Sequence, residues 1–439
     1  MPTNTTRTRD ASGSGRSLRT GVDRRSFLKA TGAGAAAVSL GGCLGEDDDV
    51  IRIGHLAPLA LDMGLGSERS AEMAVDEIND DGGIMDMEVE LISEDDEGAP
   101  GTAQTEAERL IEREEIDFLV GTFTSESTQG IMDLVGDANV PFYISGSADP
   151  RTFTEHHGQD YERYSNIFRP APINSDYQGE LLAEYCEFLA DEYGWSQVAH
   201  IPEEAAWTGT FSENVPGLLE ERGLDVVMDI RLSRDTDDFV PVLNQAEDEG
   251  AEILLKMFAH IPGPGMLAAW RENEYPFVQE GINVASMSPQ FWDDTGGGCE
   301  FETTAENGGG GRADITDTTI SFGENYNDRF ADDGRPTMPM YMGYGTYDAV
   351  HLYKDVVERA GTWDYENDID EIVDATLGSE YVGASGTITF HDEDGPYPHD
   401  VQMGMDLLHF PITQWQDGQK ECVWPTEWAS ADHQVAPWI

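Results

Sequence analysis

Lysine is nearly missing from this chain, with four in 439 residues, at Lys29, Lys256, Lys354 and Lys420. Arginine does not make up the shortfall: Lys and Arg together number 25 against 86 Asp and Glu, a formal charge of −61. Binding a phosphate backbone needs a basic footprint, so this balance argues against nucleic acid as a partner. Cysteine is scarce too, limited to Cys43, Cys186, Cys299 and Cys422, and none of the spacings suits zinc. HExxH, GxSxG and the Walker A loop are all absent, and with them the commonest signatures of enzyme chemistry. No cofactor motif and no metal set stands out. His391-Asp392-Glu393-Asp394-Gly395, with His399 and Asp400, comes nearest to a metal loop. It lacks the length of an EF-hand loop, and Met403 stands where the terminal Glu would fall, so it reads as an acidic turn after a strand.

Long apolar runs are missing as well. The longest near the front, Ala30–Leu40, has 11 residues, and a membrane span needs roughly 20. What precedes it is informative. Asp23-Arg24-Arg25-Ser26-Phe27-Leu28-Lys29 resembles a twin-arginine export signal, and the short run after it has the length of a signal peptide's apolar region. Leu40-Gly41-Gly42-Cys43 resembles a lipobox, whose Cys is lipidated and becomes the new N-terminus. One acyl chain anchors weakly and two anchor stably, which a diacylglyceryl group on Cys43 would supply. Residues 1–43 are thus expected to be an address, residues 44–50 an acidic linker, and the protein to sit on the outer face of the membrane.

The apolar content is 39%, enough for a core despite the charge. Such acidity reads as a coat adapted to salty solvent, since like charges destabilise a compact chain unless salt screens them. Roughly 390 residues beyond the signal suggest two or three domains. Outside the cytoplasm a disulfide can persist. Cys299 and Cys422, both read as loop residues, are the expected pair, and Cys186, on a helical pattern, is expected as a buried thiol.

Strands and helices alternate along the chain. Ile51–Leu56 reads as a strand, and Ala71, Ala74, Val75 and Ile78 form one helical stripe ended by Gly82-Gly83. Met87, Val89 and Leu91 mark a strand, Ala103 to Ile111 a helix, Ile116–Val120 a buried strand, Ile131 to Val135 a helix and Val140–Ile144 a strand. The rhythm restarts with helix 177–193, strand 198–201, helix 211–222, strand 226–230, helix 239–249 and strand 253–257. Helix 341–359 and strands 386–390 and 405–410 follow. TGGG at 295–298 and GGGGR at 308–312 read as loops or hinge surroundings. This alternation implies parallel sheets covered by helices on both faces, repeated in two lobes.

Eight segments carry a resemblance: IRIGHLAPL from 51, AEMAVDEINDDGGI from 71, LVGTFTSESTQG from 119, VPFYISGSADP from 140, NIFRPAP from 166, TDDFVPVLNQAEDEGAEILL from 236, YGTYDAVHL from 344 and GASGTITFHDEDG from 383. In order and spacing the chain resembles the solute-binding proteins of ABC importers, in the branched-chain amino acid and amide/urea class. The resemblance implies an α/β fold of two doubly wound parallel-sheet lobes joined by a hinge of three crossovers. Lobe 1 would comprise 51–171 and about 291–383, and lobe 2 172–290 and about 384–439. It implies a lipid-anchored, monomeric receptor that binds a small amino acid, amide or urea-like solute in the cleft and hands it to a membrane permease. A sensing receptor with the same fold is the alternative, and a hydrolytic enzyme a more distant one.

Ligands of open α/β sheets lie beyond the carboxyl ends of strands. Ser125, Ser127 and Thr128 follow such a strand and open a helix, whose free N–H groups suit a carboxylate or carbonyl oxygen. The resemblance carries the carboxylate-holding serine onto Ser127, and a later turn onto Ser147 and Ala148; that turn is one residue shorter than the family's Ser-Pro-x-Ala-Thr. It also carries a ligand-packing aromatic onto Trp207, another onto Phe258 or His260, and the acid that meets an ammonium onto Glu280, with Asn283 beside it. Tyr344 is expected to reach the cleft and Tyr347 to pack. Glu126 stands beside the carboxylate site, which keeps a polar neutral ligand such as urea or an amide in view.

Overall fold

The structure, a computed structural model, describes residues 50–439. The export motif, the apolar run, Cys43 and all but the last residue of the acidic linker lie outside the described residues. Among the described residues no helix is long and apolar enough to cross a membrane.

The first lobe is built on a five-stranded parallel sheet. Its elements are β1 (Ile51–Ala57), α1 (Asp62–Asp80), β2 (Val89–Asp95), α2 (Pro100–Glu112), β3 (Phe118–Gly121), α3 (Ser125–Ala138), β4 (Phe142–Ile144) and β5 (Ile167–Phe168), with strand order β2-β1-β3-β4-β5. Every residue of β3 is buried, as a strand covered by helices on both faces must be. The chain then crosses to a second parallel sheet. Here α4 (Ser175–Tyr193), β6 (Gln197–Pro202), α5 (Gly209–Glu221), β7 (Asp225–Asp229), α6 (Val240–Asp248), β8 (Ile253–Phe258), α7 (Pro264–Glu272) and β9 (Val278–Asn283) give the order β7-β6-β8-β9.

After β10 (Thr303–Ala305), the helices α8 (Thr319–Phe330), α9 (Met340–Ala360) and α10 (Tyr365–Leu377) return to the first sheet. Tyr353 of α9 stacks on Phe118 at 4.1 Å between centroids, and Tyr143 Oη lies 2.8 Å from Thr376 Oγ1. Thr346 of α9 ties α1 to the end of β4 through hydroxyl bonds to Ser67 at 2.6 Å and Ser145 at 2.7 Å. A last passage brings β11 (Tyr381–Val382), β12 (Thr387–Ile388), β13 (Ile412–Gln416) and β14 (Gln419–Trp424), with β10, β13 and β14 forming a small antiparallel sheet. The crossings are tied together by Arg169, which is fully buried. It donates through both Nε and Nη2 to Asp400 and through Nη1 to the carbonyls of Ser147 and Asp149.

Three expectations need correction. Cys299 and Cys422 are free thiols rather than a disulfide. Cys422 lies within β14 opposite Thr413, not in a loop, and Cys299 packs against Leu267, Phe291 and Trp415. Burial pushes both thiols up to about 12. The strand expected over 386–390 shrinks to β12, and 405–410 is a turn with one bridging residue, Leu408. These segments pair through single long-range bridges, Gly386 with Leu408 and Phe390 with Val401, which local alternation cannot distinguish from a ladder. Cys186 is a buried free thiol on α4.

Candidate ligand-binding site

Both parallel sheets share one winding. In each, the first strand lies inside the second, so the chain reverses direction between β1 and β3 and between β6 and β8. Ligands gather beyond the carboxyl ends of strands at such switch points. A cavity enclosing about 430 Å³, part of it open to solvent, lies where those ends of the two sheets face each other. Phe123, Thr124 and Ser125 follow β3, and Gly146 and Ala148 follow β4. Trp207 follows β6, Ala259 and His260 follow β8, Ile282 lies at the end of β9, and Val284 and Met287 come after it. Pro172, Gln178, Tyr341 and Phe410 come from the crossings and the helix starts beside them.

The first-lobe wall is made of hydroxyls that mostly satisfy each other. Thr124 caps α3, its Oγ1 accepting from Ser127 N at 3.1 Å and donating to Ser127 Oγ at 2.8 Å. Ser127 is fully buried and does not line the cavity. Thr128 Oγ1 donates to Ser147 Oγ at 2.7 Å, again behind the wall. Of the residues expected on this side, Ser125 and Ala148 reach the cavity, and Ser127, Thr128 and Ser147 support it from the layer below. Tyr341 Oη donates to Gly146 O at 2.8 Å, which holds the ring over the cavity.

The second-lobe wall is built around one buried carboxylate. Glu203, fully buried just after β6, accepts from Trp207 Nε1 at 3.0 Å and His260 Nδ1 at 2.6 Å on one oxygen. Its other oxygen accepts from the backbone N–H of His260 at 2.9 Å and of Ile261 at 3.1 Å. Burial works against ionisation of Glu203, yet the bonds from His260 and Trp207 hold its carboxyl below the ordinary value. Trp207 and His260 are therefore cavity residues with a shared anchor. The anchor lies four residues before Trp207, in the same EEAAWTG stretch, and sequence reasoning passed it over.

Three expected residues stand elsewhere. Glu280 is buried in β9, two residues before Ile282 and three before the strand's end at Asn283, so it sits roughly 7 Å below the level of Ile282. It accepts from Tyr185 Oη at 2.9 Å and Thr303 Oγ1 at 2.5 Å, and lies 3.2 Å from His433 Nε2. Phe258 packs into the second lobe's core, and Ala259 and His260 after it reach the cavity. Tyr344 donates to Thr319 O at 3.1 Å and packs over Gly308; Tyr341, one turn earlier on α9, takes the cavity position. Asn283 donates to Glu302 Oε1 at 2.6 Å, and Tyr347 stacks on Phe322 at 4.0 Å. Glu126, beside Ser125, is engaged by Arg234 of the second lobe at 2.5 Å, an ion pair that joins the two lobes. Among the described residues no group of three His, Cys, Asp or Glu could hold a metal ion, the 391–400 turn included.

Comparison with known proteins agrees with this geometry. The family model described as Periplasmic binding protein matches residues 50–405, and the model of the twin-arginine translocation pathway signal sequence matches residues 21–41. The chain belongs to the periplasmic binding protein family, a family of binding proteins rather than enzymes. A relative named Leu/Ile/Val-binding protein homolog 7, from Brucella suis, is 25% identical over 265 residues, which are 58% of this chain and 61% of that protein. The chain thus spans about three-fifths of that relative's length. A solved structure described as a branched-chain amino acid ABC transporter from Silicibacter pomeroyi superimposes with a TM-score of 0.75 at 20% identity, covering 89% of this chain and all of that one. An ABC-transporter solute-binding protein from R. palustris, solved with 4-hydroxybenzoate, gives a TM-score of 0.68 at 17% identity, covering 85% of this chain and 95% of that one. At these identities the structures establish the shared fold.

Proposed function

We propose that this protein is the exported solute receptor of an ABC importer of the branched-chain amino acid type. It would take a small solute into the interlobe cavity and deliver it to a membrane permease. The observation that carries this reading is the cavity itself. It lies at the switch points of two like-wound sheets, and hinged lobes can close over a ligand there. The twin-arginine signal agrees with a place of action outside the cytoplasm. In the same reading Cys43 carries a lipid that keeps the receptor at the membrane, and the acidic coat serves a salty surrounding. Lobe 1 comprises 51–171 with the helices that return to it, and lobe 2 comprises 172–290 with the last passage. Thr303 and Thr304 bond to Glu280 and Asn283 of β9, so the return to lobe 1 begins after β10.

The relatives are named for leucine, isoleucine and valine, and one structural neighbour holds 4-hydroxybenzoate, so the test must span both chemistries. A thermal-shift screen of the exported chain in molar salt would use amino acids, amides, urea, aliphatic and aromatic acids, sugars and peptides. A ligand that binds only the folded state adds RT ln(1 + [L]/Kd), about 2.7 kcal/mol at a hundredfold excess over Kd. At least one solute is expected to raise the melting temperature, and deleting the gene should abolish its uptake. No shift across the panel, with uptake of every member unchanged on deletion, would overturn the reading.

A further inference from the structure

The loop from Glu203 to Gly209 carries Trp207 to the cavity, and arginines hold its backbone from both lobes. From its own lobe, Arg231 Nη2 donates to the carbonyls of Glu203 at 3.2 Å and Ala205 at 3.1 Å, and Arg234 Nε to that of Glu204 at 2.8 Å. The next carbonyl is taken from across the cleft. Arg151 Nη2 of the first lobe donates to Ala206 O at 3.0 Å. Ala206 N donates to Glu126 Oε1, also of the first lobe, at 3.4 Å. One residue of the second lobe is thus held at both its N–H and its C=O by the first.

These contacts alternate with the cavity wall along the chain. Ser125 lines the cavity and Glu126 follows it; Ala148 lines it and Asp149 follows; Ala206 stands directly before Trp207. Asp149 is fully buried and mounts the Arg151 guanidinium, accepting from Nε at 3.0 Å on one oxygen and from Nη2 at 2.6 Å on the other. Gln129 Nε2 donates to Asp149 Oδ2 at 2.9 Å, and Asp149 N donates to Oγ of the cavity residue Ser125 at 3.3 Å. Arg151 is therefore aimed before it meets the second lobe, and little freedom is lost when it bonds there. Neither partner of this bond is stranded when the lobes part. Arg151 keeps Asp149, and Ala206 O keeps the N–H of Gly209 at 3.0 Å. A contact that leaves no orphaned polar group behind can open and close at small cost.

Resting on the receptor function proposed above, we infer that Arg151 is the latch of the closed receptor: bonded to Ala206 O across the cleft, it fixes the loop that holds Trp207 at the cavity and slows the solute's escape. Arg151 is a positioning residue, acting on the solute through Trp207. The shortened turn after β4 then serves the opposite lobe, through Asp149 and Arg151. A receptor that spends less time closed loses affinity in proportion, so the latch adds to binding without touching the solute.

Stopped-flow tryptophan fluorescence on the exported chain reads the two rates. The probes are leucine and 4-hydroxybenzoate, then whichever panel member raises the melting temperature most. Arg151→Lys is the first variant. Its ammonium still answers the buried Asp149 charge but lacks the planar fork that reaches Asp149 and Ala206 O together. Dissociation is expected to quicken about tenfold, the loss of one hydrogen bond from a charged donor, with association changed less than about twofold. The bond runs to a carbonyl and its donor is mounted on a buried carboxylate, so the effect should persist in molar salt, unlike that of an exposed ion pair. Arg151→Gln, shorter and uncharged, keeps a donor for Asp149 and is expected to act in the same direction should Arg151→Lys fail to fold. Arg163→Gln, at a pair with Asp133 and Asp137 inside the first lobe, is the control and should change neither rate. Unchanged dissociation, a loss confined to association, or one that disappears in molar salt would overturn the latch and leave the receptor standing. No binding by any panel member would instead remove the receptor reading.

Discussion

Two histidines of this protein, His260 half-buried and His157 fully buried, differ in kind. His260 sits at the cavity wall with one nitrogen on a carboxylate and the other unpaired. His157 sits in an aromatic pile below the crossings, with both nitrogens unpaired. It stacks on Phe153 at 5.1 Å and lies 4.8 Å from His399, which stacks in turn on Phe168 at 4.2 Å. By unpaired atoms alone, His157 would be the stronger candidate for a site. It has neither a cavity nor an acid to hold a proton, and it acts as a flat, packable ring. What separates the two rings is position: His260 borders the cavity, and His157 is enclosed by other rings.

The comparison breaks most sharply at Glu203. Glu203→Ala leaves Trp207 Nε1–H, His260 Nδ1–H and two backbone N–H groups without an acceptor. Each buried donor left without an acceptor costs about 1–3 kcal/mol, so a loss of several kcal/mol in denaturant unfolding is the expected result. A loss below about 1 kcal/mol would mean that water or a shifted loop satisfies those donors, and that Glu203 is not an anchor.

The aromatic pile should respond in the opposite direction. Burial, with help from His399 and His156, lowers His157 to about 3, and burial lowers His399 to about 4. Both folded values lie below the ordinary histidine value. The stability these rings contribute is therefore fully present above about pH 6.5 and is lost as pH falls through 6 towards 4. His157→Phe keeps the ring and removes two buried, unpaired nitrogens, each of which costs about 1–3 kcal/mol. We expect this variant to melt higher at pH 7 by about 1 kcal/mol and to show a shallower loss of melting temperature between pH 6 and 4. A destabilised variant with an unchanged acid limb would show that the pile depends on the imidazole.

Much of this contrast escaped the sequence, for reasons that are physical. The alternation of strands and helices was readable because both lobes bury one face of each helix, and α1 carries Ala71, Ala74, Val75 and Ile78 on its buried stripe as expected. Strand-end logic pointed to Ser125 and the family resemblance to Ala148, Trp207 and His260, and all four line one cavity. Depth along a strand was not readable: Glu280 and Ile282 share one face of β9, and only the strand's length decides which of them reaches the rim. Nor could helical period choose between Tyr341 and Tyr344, three residues apart on α9. Glu203 was hidden by numbers, one carboxylate among 86, and nothing local announces that its partner lies 57 positions later.

The smallest expected effect lies at the lobe-joining ion pair, where the contrast between fixed and adjustable charges can be sharpened. Glu126 and Arg234 are about one-third exposed, at 32% and 37% of their side chains. Burial works against ionisation of Glu126, and the bond from Arg234 outweighs it and lowers the carboxyl. Pairs this accessible contribute about 0.2–1 kcal/mol. Because this one joins the lobes, it should add to the closed state and so to affinity. Arg234→Gln is expected to weaken solute binding by no more than about fivefold in low salt. In 1 M salt the Debye length is about 3 Å and the effect should fade. Calorimetry at two salt concentrations separates the cases. A tenfold loss that persists in molar salt would place Arg234 in recognition itself and make the first-lobe wall as chemical as the second. A small, screened loss would mean that the exposed pair only tunes closure, and that the first-lobe wall takes no part in recognition through Arg234.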